Sequence, residues 1–262
     1  MRQNKLRALL RSGKPTIGTH LFLNSPTVVE TIGETHAFDY VEFLAEYASF
    51  DLTALENFCR AAELYDLGTM IKVDNEQHCY TAQRAIGAGF QSILFTDARS
   101  PEDVVHFVKS VRADCPSSDG IHGVALRRNV MSDYGAGPAY VTALDDIVIA
   151  VMIEKAPAVE ALEKVLAVPG IDMIQWGPSD YSMSIGRPGE EDSPAVRTVE
   201  RRVLETCIQA GIPPRAEIST PEEAKYYLDL GVRHFCIGYD LFTLQSGLGQ
   251  DGEKLRSLVD QL

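Results

Sequence analysis

The sequence predicts one (β/α)8 TIM barrel spanning residues 1–262 as a single α/β domain. Three observations carry that prediction. Eight short apolar runs recur along the chain. Most of them are near-continuous rather than alternating, as strands covered on both faces are. Helical patterns separate them, which is the signature of βα units and a parallel sheet. Eight such units fit the roughly 250 residues of a typical barrel. A doubly wound open sheet is the runner-up, and the absence of a G-x-G-x-x-G after the first strand weighs against it.

The elements follow in order. Residues 1–18, MRQNKLRALLRSGKPTIG, read as a short basic amphipathic helix leading through Lys14-Pro15 into the first strand. This stretch has no long apolar core and no small-residue cleavage site, so a secretory signal is not expected. The strands are read at 15–21, 38–46, 68–74, 90–97, 146–154, 171–180, 213–219 and 233–240. Between them, Ser25 is a candidate N-cap with Pro26 in the first helical position. Asp51 opens a helix that stops before Gly68. The stretches at 100–112, 193–211 and 220–231 each begin Ser-Pro or Thr-Pro. Those at 100–112 and 220–231 also carry acids in the first turn, where the helix dipole favours them. Segment 115–145 breaks the rhythm, and a loop of that length in a compact domain is expected to be functional or mobile.

Bulk composition narrows the function classes. The net charge is −13 with a pI near 4.9, which argues against nucleic-acid or anionic-membrane partners. No apolar run reaches the roughly 18 residues of a membrane span. The five cysteines are scattered, with no C-x-x-C pair, and read as reduced thiols of a cytoplasmic protein rather than as a zinc site.

Chemistry in such a barrel sits where strands end and βα loops begin. The polar residues there are His20 and Asn24, Glu46-Tyr47, Lys72 and Asp74, Asp97, Glu154-Lys155, Ser179-Asp180, Arg215, Glu217 and Ser219, and Asp240. The ring is rich in carboxylates and poor in Cys and His. It suits a hard oxygen-seeking cation, Mg²⁺ or Mn²⁺, that keeps waters and lets the substrate complete its shell. Glu154 and Asp180, at corresponding ends of adjacent strands, are the natural ligand pair. The turn at Gly177-Pro178 would aim the N–H groups of Ser179 and Asp180 at a substrate carboxylate. Asp97 and Asp240 read as helix caps or solvated acids, and Arg215 and Glu217 as an ion pair inside the barrel.

The stretch VMIEKAPAVEALEKVLAVPGIDMIQWGPSDYSMSIG resembles the signature region of the HpcH/HpaI aldolase family. The resemblance extends to LLRSGKPTIGT, FDYVEFLAEYAS, GIHGVA and AKYYLDLGVRHFCIGYD. It implies a metal-dependent lyase on a (β/α)8 barrel. Such an enzyme makes or breaks a C–C bond between a 2-oxo acid and an aldehyde through a pyruvate-type enolate. It also implies that Glu154 and the Asp180 of the G-P-x-D turn hold the divalent ion, with Co²⁺ as an alternative metal. Other family positions differ: Glu46-Tyr47 stands for E-H, Lys72 for an Arg, Met152 for a Gln, and His20 for a common Trp. On this reading Lys72 stabilises the developing oxyanion. His20 is the first candidate for proton transfer, Tyr47 the second and a metal-bound water the third. Arg127 and Arg128 would hold a distal substrate carboxylate. The rivals are a decarboxylase, hydratase or isomerase on the same site, a Schiff-base aldolase using Lys72 or Lys155, and a non-catalytic homologue that lost the usual His. By analogy the chain forms a homo-oligomer, a hexamer or trimer, through the amphipathic C-terminal stretch at about 250–262.

Overall fold

A computed structural model describes residues 2–125, 128 and 137–262. Eight strands form a closed parallel barrel in sequence order. They are β1 (Thr16–Leu21), β2 (Tyr40–Leu44), β3 (Gly68–Val73), β4 (Ser92–Phe95), β5 (Val148–Ile153), β6 (Met173–Trp176), β7 (Pro214–Ile218) and β8 (His234–Tyr239). All eight predicted strands are present, each shorter than its apolar run.

Two apolar layers hold the barrel. The outer one packs alternate strand residues, among them Val41, Phe43, Ile71, Ile93, Ile149 and Ile174, against the helices. The inner one fills the lower barrel with Tyr40, Met70, Leu94, Val148, Ala150 and Met173. Leu6, from the helix Lys5–Arg11, joins that inner layer, so the predicted N-terminal helix closes the bottom of the barrel. Asn4 ties it there by donating to the carbonyls of Gln91 (2.6 Å) and Asp146 (2.8 Å). Gly18 makes room for Tyr40, because a Cβ at that position would lie 2.3 Å from the ring.

Three of the helix starts read in the sequence carry a side-chain cap bond. Asp51 accepts from Ala54 N–H at 2.8 Å to start helix Leu52–Leu64. Ser100 and Asp103 form a reciprocal capping box on Pro101–Val111. Ser193 caps Pro194–Gln209. Ser25 precedes Pro26–Glu34 but makes no side-chain cap bond. Two expectations change. Strand six stops at Trp176, and Pro178–Ser184 is a short helix, so Asp180 lies in a first helical turn. Segment 115–145 is not wholly irregular, since it contains the helix Pro138–Asp145.

The five cysteines are unpaired. Among the described residues, no helix is long and apolar enough to cross a membrane. The final helix, Asp240–Val259, buries none of its residues. It exposes Leu241, Phe242, Leu244, Leu248, Leu255 and Leu258.

Candidate active site

Period-two alternation carries the interior of the barrel up to its mouth. On β5 the inward positions run Val148, Ala150 and Met152, and the next in phase is Glu154. On β3 Met70 is followed by Lys72, on β6 Met173 by Gln175, and on β7 Arg215 by Glu217. A cavity of about 270 Å³ opens at this end. Tyr47, Lys72, Glu154, Gly177, Ser179 and Asp180 all line it, so most of the residues singled out in the sequence meet in one place. Met152, Trp176, Glu200, Arg215, Glu217 and Tyr239 also line it.

The carboxylate side is built by β5, β6 and the loop after β4. Glu154 is buried and accepts from the Asp97 N–H at 2.7 Å. Burial pushes its pKa up to about 7, and the nearby negative charges of Asp180 and Asp97 add to the rise. Lys155 bridges the other two acids, 2.6 Å from Asp97 and 2.5 Å from Asp180. Asp97 therefore anchors Lys155 instead of serving as a helix cap. Gly177 lets the chain pass close to Glu154, since a Cβ there would stand 2.6 Å from its Oε2.

The cationic side comes from β2 and β3. Lys72 Nζ lies 2.8 Å from Glu46 and donates to the Tyr47 hydroxyl at 2.6 Å. Burial works against the Lys72 charge, yet Tyr47 and Glu46 more than offset it and hold the pKa above the ordinary lysine value. Burial raises the Tyr47 phenol to about 12, against the opposing pull of Lys72. At neutral pH both groups keep their protons. In the metal-free chain Tyr47 is therefore placed as a hydrogen-bond donor rather than as a base.

His20 differs most from its reading. Its side chain is 1% exposed and does not line the cavity. It stacks on Tyr239 with ring centroids 4.7 Å apart, and its Nδ1 meets the Gly238 carbonyl at 3.1 Å. The register of β1 against β8 shifts between Gly18 and His20, which brings His20 opposite Tyr239. Nε2 points inward, 3.7 Å from Glu217 and 3.9 Å from Glu42.

The predicted Arg215–Glu217 ion pair does not form. Arg215 pairs with Glu42, a residue the strand reading passed over, and also bonds Gln175. Gln175 in turn donates to Glu217 at 2.8 Å, and the Tyr239 hydroxyl donates to the same carboxylate. The available signal was Glu42 itself, an acid in the middle of an otherwise apolar, fully buried strand. Arg127 lies outside the described residues. Arg128 does not reach the cavity, because it pairs with Glu63 at 2.6 Å on the outer surface.

Among the described residues, the grouping of three His, Cys, Asp or Glu side chains with metal-ligand proximity is His20, Glu42 and Cys236. It does not suit an ion. Arg215 already neutralises Glu42, and burial drives the Cys236 thiol well above its usual value, so it stays protonated. Glu154 and Asp180 fit better: two hard oxygen donors, one carrying negative charge that burial leaves poorly compensated.

Residues 18–246 match the family described as HpcH/HpaI aldolase/citrate lyase. The chain is 25% identical to a hydroxypyruvate/pyruvate aldolase of Paraburkholderia phytofirmans, over 97% of this chain and 98% of that one. A solved HpcH/HpaI aldolase/citrate lyase family protein from Burkholderia cenocepacia superposes with a TM-score of 0.83 at 26% identity, covering 97% and 99% of the two chains. A citrate lyase beta subunit from M. tuberculosis, complexed with oxaloacetate and magnesium, shares the fold at a TM-score of 0.59 and 13% identity, over 88% and 94%. The barrel, the residues at its mouth and the near end-to-end match lead to one conclusion: this chain belongs to the HpcH/HpaI aldolase/citrate lyase family.

Proposed function

We propose that the protein is a divalent-metal-dependent aldolase that cleaves or forms a C–C bond of a 2-oxo acid through a pyruvate-type enolate. Glu154 carries this reading. A carboxylate buried at the barrel mouth, with its pKa pushed to about 7 first by burial and then by the charges of Asp180 and Asp97, is a site short of positive charge. Glu154 and Asp180 would hold Mg²⁺ or Mn²⁺, with Co²⁺ as an alternative. When bound, such an ion supplies Lewis-acid polarisation of a substrate carbonyl. Lys155 holds Oδ1 of Asp180 and fixes the orientation of that carboxylate.

The remaining roles fall to the chain's own groups. Lys72 places a fixed cation beside the developing oxyanion, and Tyr47 can donate a hydrogen bond on the same side. The N–H groups of Ser179 and Asp180, in the first turn of Pro178–Ser184, have no acceptor within that helix and can take the substrate carboxylate. A Schiff base on Lys72 or Lys155 is disfavoured. Carboxylate partners hold both amines protonated, and a protonated amine is not a nucleophile. The apolar side chains along Asp240–Val259 support the homo-oligomer expected by analogy.

The test is a retro-aldol assay on 4-hydroxy-2-oxo acids, with pyruvate and aldehyde measured separately. Turnover should require Mg²⁺ or Mn²⁺ and stop with EDTA. Loss of the metal's contribution in Glu154→Gln or Asp180→Asn should lower kcat/KM by about three orders of magnitude, the equivalent of several kcal/mol. Turnover that survives EDTA and both substitutions would rule the metal site out. Loss of CO₂ without aldehyde would point to the decarboxylase instead.

A further inference from the structure

We propose that Glu217 is the acid–base residue of this site, with His20 behind it as a positioning residue and second proton acceptor. The inference rests on the aldolase reading and names the proton carrier that reading lacks.

The argument starts from the groups that line the cavity. Lys72 and Tyr47 keep their protons at neutral pH, for the reasons given above. Glu154 and Asp180 are committed to the cation site. Glu200, the remaining acid of the lining, is paired with Arg197 at 2.9 Å and accepts from the Tyr227 hydroxyl at 2.8 Å. That leaves Glu217 as a lining carboxylate with no lysine or arginine partner among the described residues. Its side chain is 34% exposed, so a ligand in the cavity can reach it. Neutral donors fix its position: Gln175 Nε2 at 2.8 Å from one oxygen, and the Tyr239 hydroxyl on the other. Two aimed hydrogen bonds hold a carboxylate in one rotamer without neutralising it, as a general base requires.

The groups behind Glu217 complete the arrangement. The buried charged neighbour, Arg215, is spent on Glu42 and Gln175. Its charge thus reaches Glu217 only through the Gln175 side chain, which accepts from Arg215 and donates to Glu217. His20 Nε2 makes no hydrogen bond among the described residues and faces Glu217 at 3.7 Å. With Nδ1 directed at the Gly238 carbonyl, Nε2 is the ring nitrogen left to exchange a proton. The titratable and charged groups near Glu217 include His20 on β1, Arg215 on β7, and Cys236 and Tyr239 on β8.

The step balances without a co-reactant. In cleavage, Glu217 takes the proton of the hydroxyl on the carbon to be released. That C–O becomes the aldehyde carbonyl, the C–C bond breaks, and its electron pair stays on the 2-oxo acid fragment as the enolate. Glu217 then returns the proton to the enolate carbon, giving the pyruvate methyl group. His20 can hold the proton between the two transfers.

Exchange of pyruvate methyl protons in D₂O with Mg²⁺, followed by proton NMR, isolates the second transfer and needs no aldehyde. The wild type should exchange. Glu217→Gln should slow exchange by about a hundredfold or more, the usual contribution of a general base, while pyruvate affinity stays within roughly threefold. Glu217→Ala should recover part of the rate when formate is added as a substitute base, which a purely structural role would not allow. His20→Asn should lower the exchange rate with little change in pyruvate affinity. A wild type that exchanges while Glu217→Gln keeps pace overturns this inference alone. A wild type that exchanges nothing overturns the aldolase reading and this inference together.

Discussion

Removing the guanidinium of Arg215 is the sharpest test of how the barrel interior is held. Arg215 and Glu42 are both fully buried and face each other inside the barrel. Arg215 also donates to the Tyr40 hydroxyl at 3.2 Å and to Gln175. In Arg215→Met the volume is roughly kept, but the Glu42 carboxylate loses its countercharge. Leaving one member of a buried pair uncompensated costs about 3–5 kcal/mol. For a chain of this length that is a fall in Tm of roughly 6–20 °C, at about 2–4 °C per kcal/mol. The pH dependence should change sign. In the wild type, burial pushes the Glu42 pKa up, but Arg215 first and His20 next pull it below the ordinary value. A depressed acid stabilises above its unfolded pKa, near 4.3, and that stability is lost as pH falls through the folded value. In Arg215→Met burial acts without that opposition, so the folded pKa rises above the unfolded one. Stability then declines as pH climbs past about 4.3, at up to about 1.4 kcal/mol per unit. Urea unfolding followed by circular dichroism from pH 4.5 to 8 measures both effects. The deficit should be largest near neutrality and narrow toward pH 4.5, and Glu42→Leu with Arg215→Met should recover most of it. A deficit below about 1 kcal/mol, or one that widens on acidification, would refute the uncompensated-charge argument.

Two further outcomes follow from the carboxylate side. Gly177→Ala puts a methyl 2.6 Å from Glu154 Oε2 and 3.0 Å from Met152 Cε. Backbone and side chain must both shift, costing about 1–3 kcal/mol. Calorimetric Mn²⁺ affinity should weaken with it, and an unchanged affinity would mean that Glu154 is free to move aside. In metal-free protein the Glu154 pKa of about 7 stands above its unfolded value, so its stabilising share is present at low pH and lost as pH rises through 7. Melting temperatures in EDTA should therefore fall between pH 5 and 8. Saturating Mn²⁺ and Glu154→Gln should each remove that fall, and an equal slope in all three samples would show that another group titrates.

The parts legible in the sequence depend on local periodicity. Eight apolar runs gave the barrel, because strands buried on both faces leave that mark in any window of a few residues. The same phase extended by one step put Lys72 and Glu154 at the mouth. The Gly177-Pro178 break marked the turn, although Pro178 starts a helix there and carries Asp180 off the strand. Pairings that depend on barrel closure were not legible. Glu42 and Arg215 lie 173 residues apart and meet only because both point inward across the interior. His20 looked like an accessible base at a strand end, but the β1–β8 register stacks it under Tyr239.

Closure also explains why the identity of a residue was a poor guide to its protonation role. Tyr47 stands where the family resemblance implies a histidine, so chemistry by position suggested a base. Its role is set instead by Lys72, one strand over, whose ammonium donates to the phenol oxygen while burial drives the phenol to about 12. Glu217 gained its role in the opposite way. An acid two positions from Arg215 invites an ion pair, but alternate residues of a strand stand side by side on one face and need not bond. Glu42 takes the arginine from across the barrel, and the carboxylate left at the mouth is without that partner. The proton-carrying group of this cavity is thus selected by which countercharge is already engaged. A substitution as remote as Glu42→Leu would free Arg215 toward Glu217 and should slow methyl exchange in pyruvate, even though Glu42 does not line the cavity.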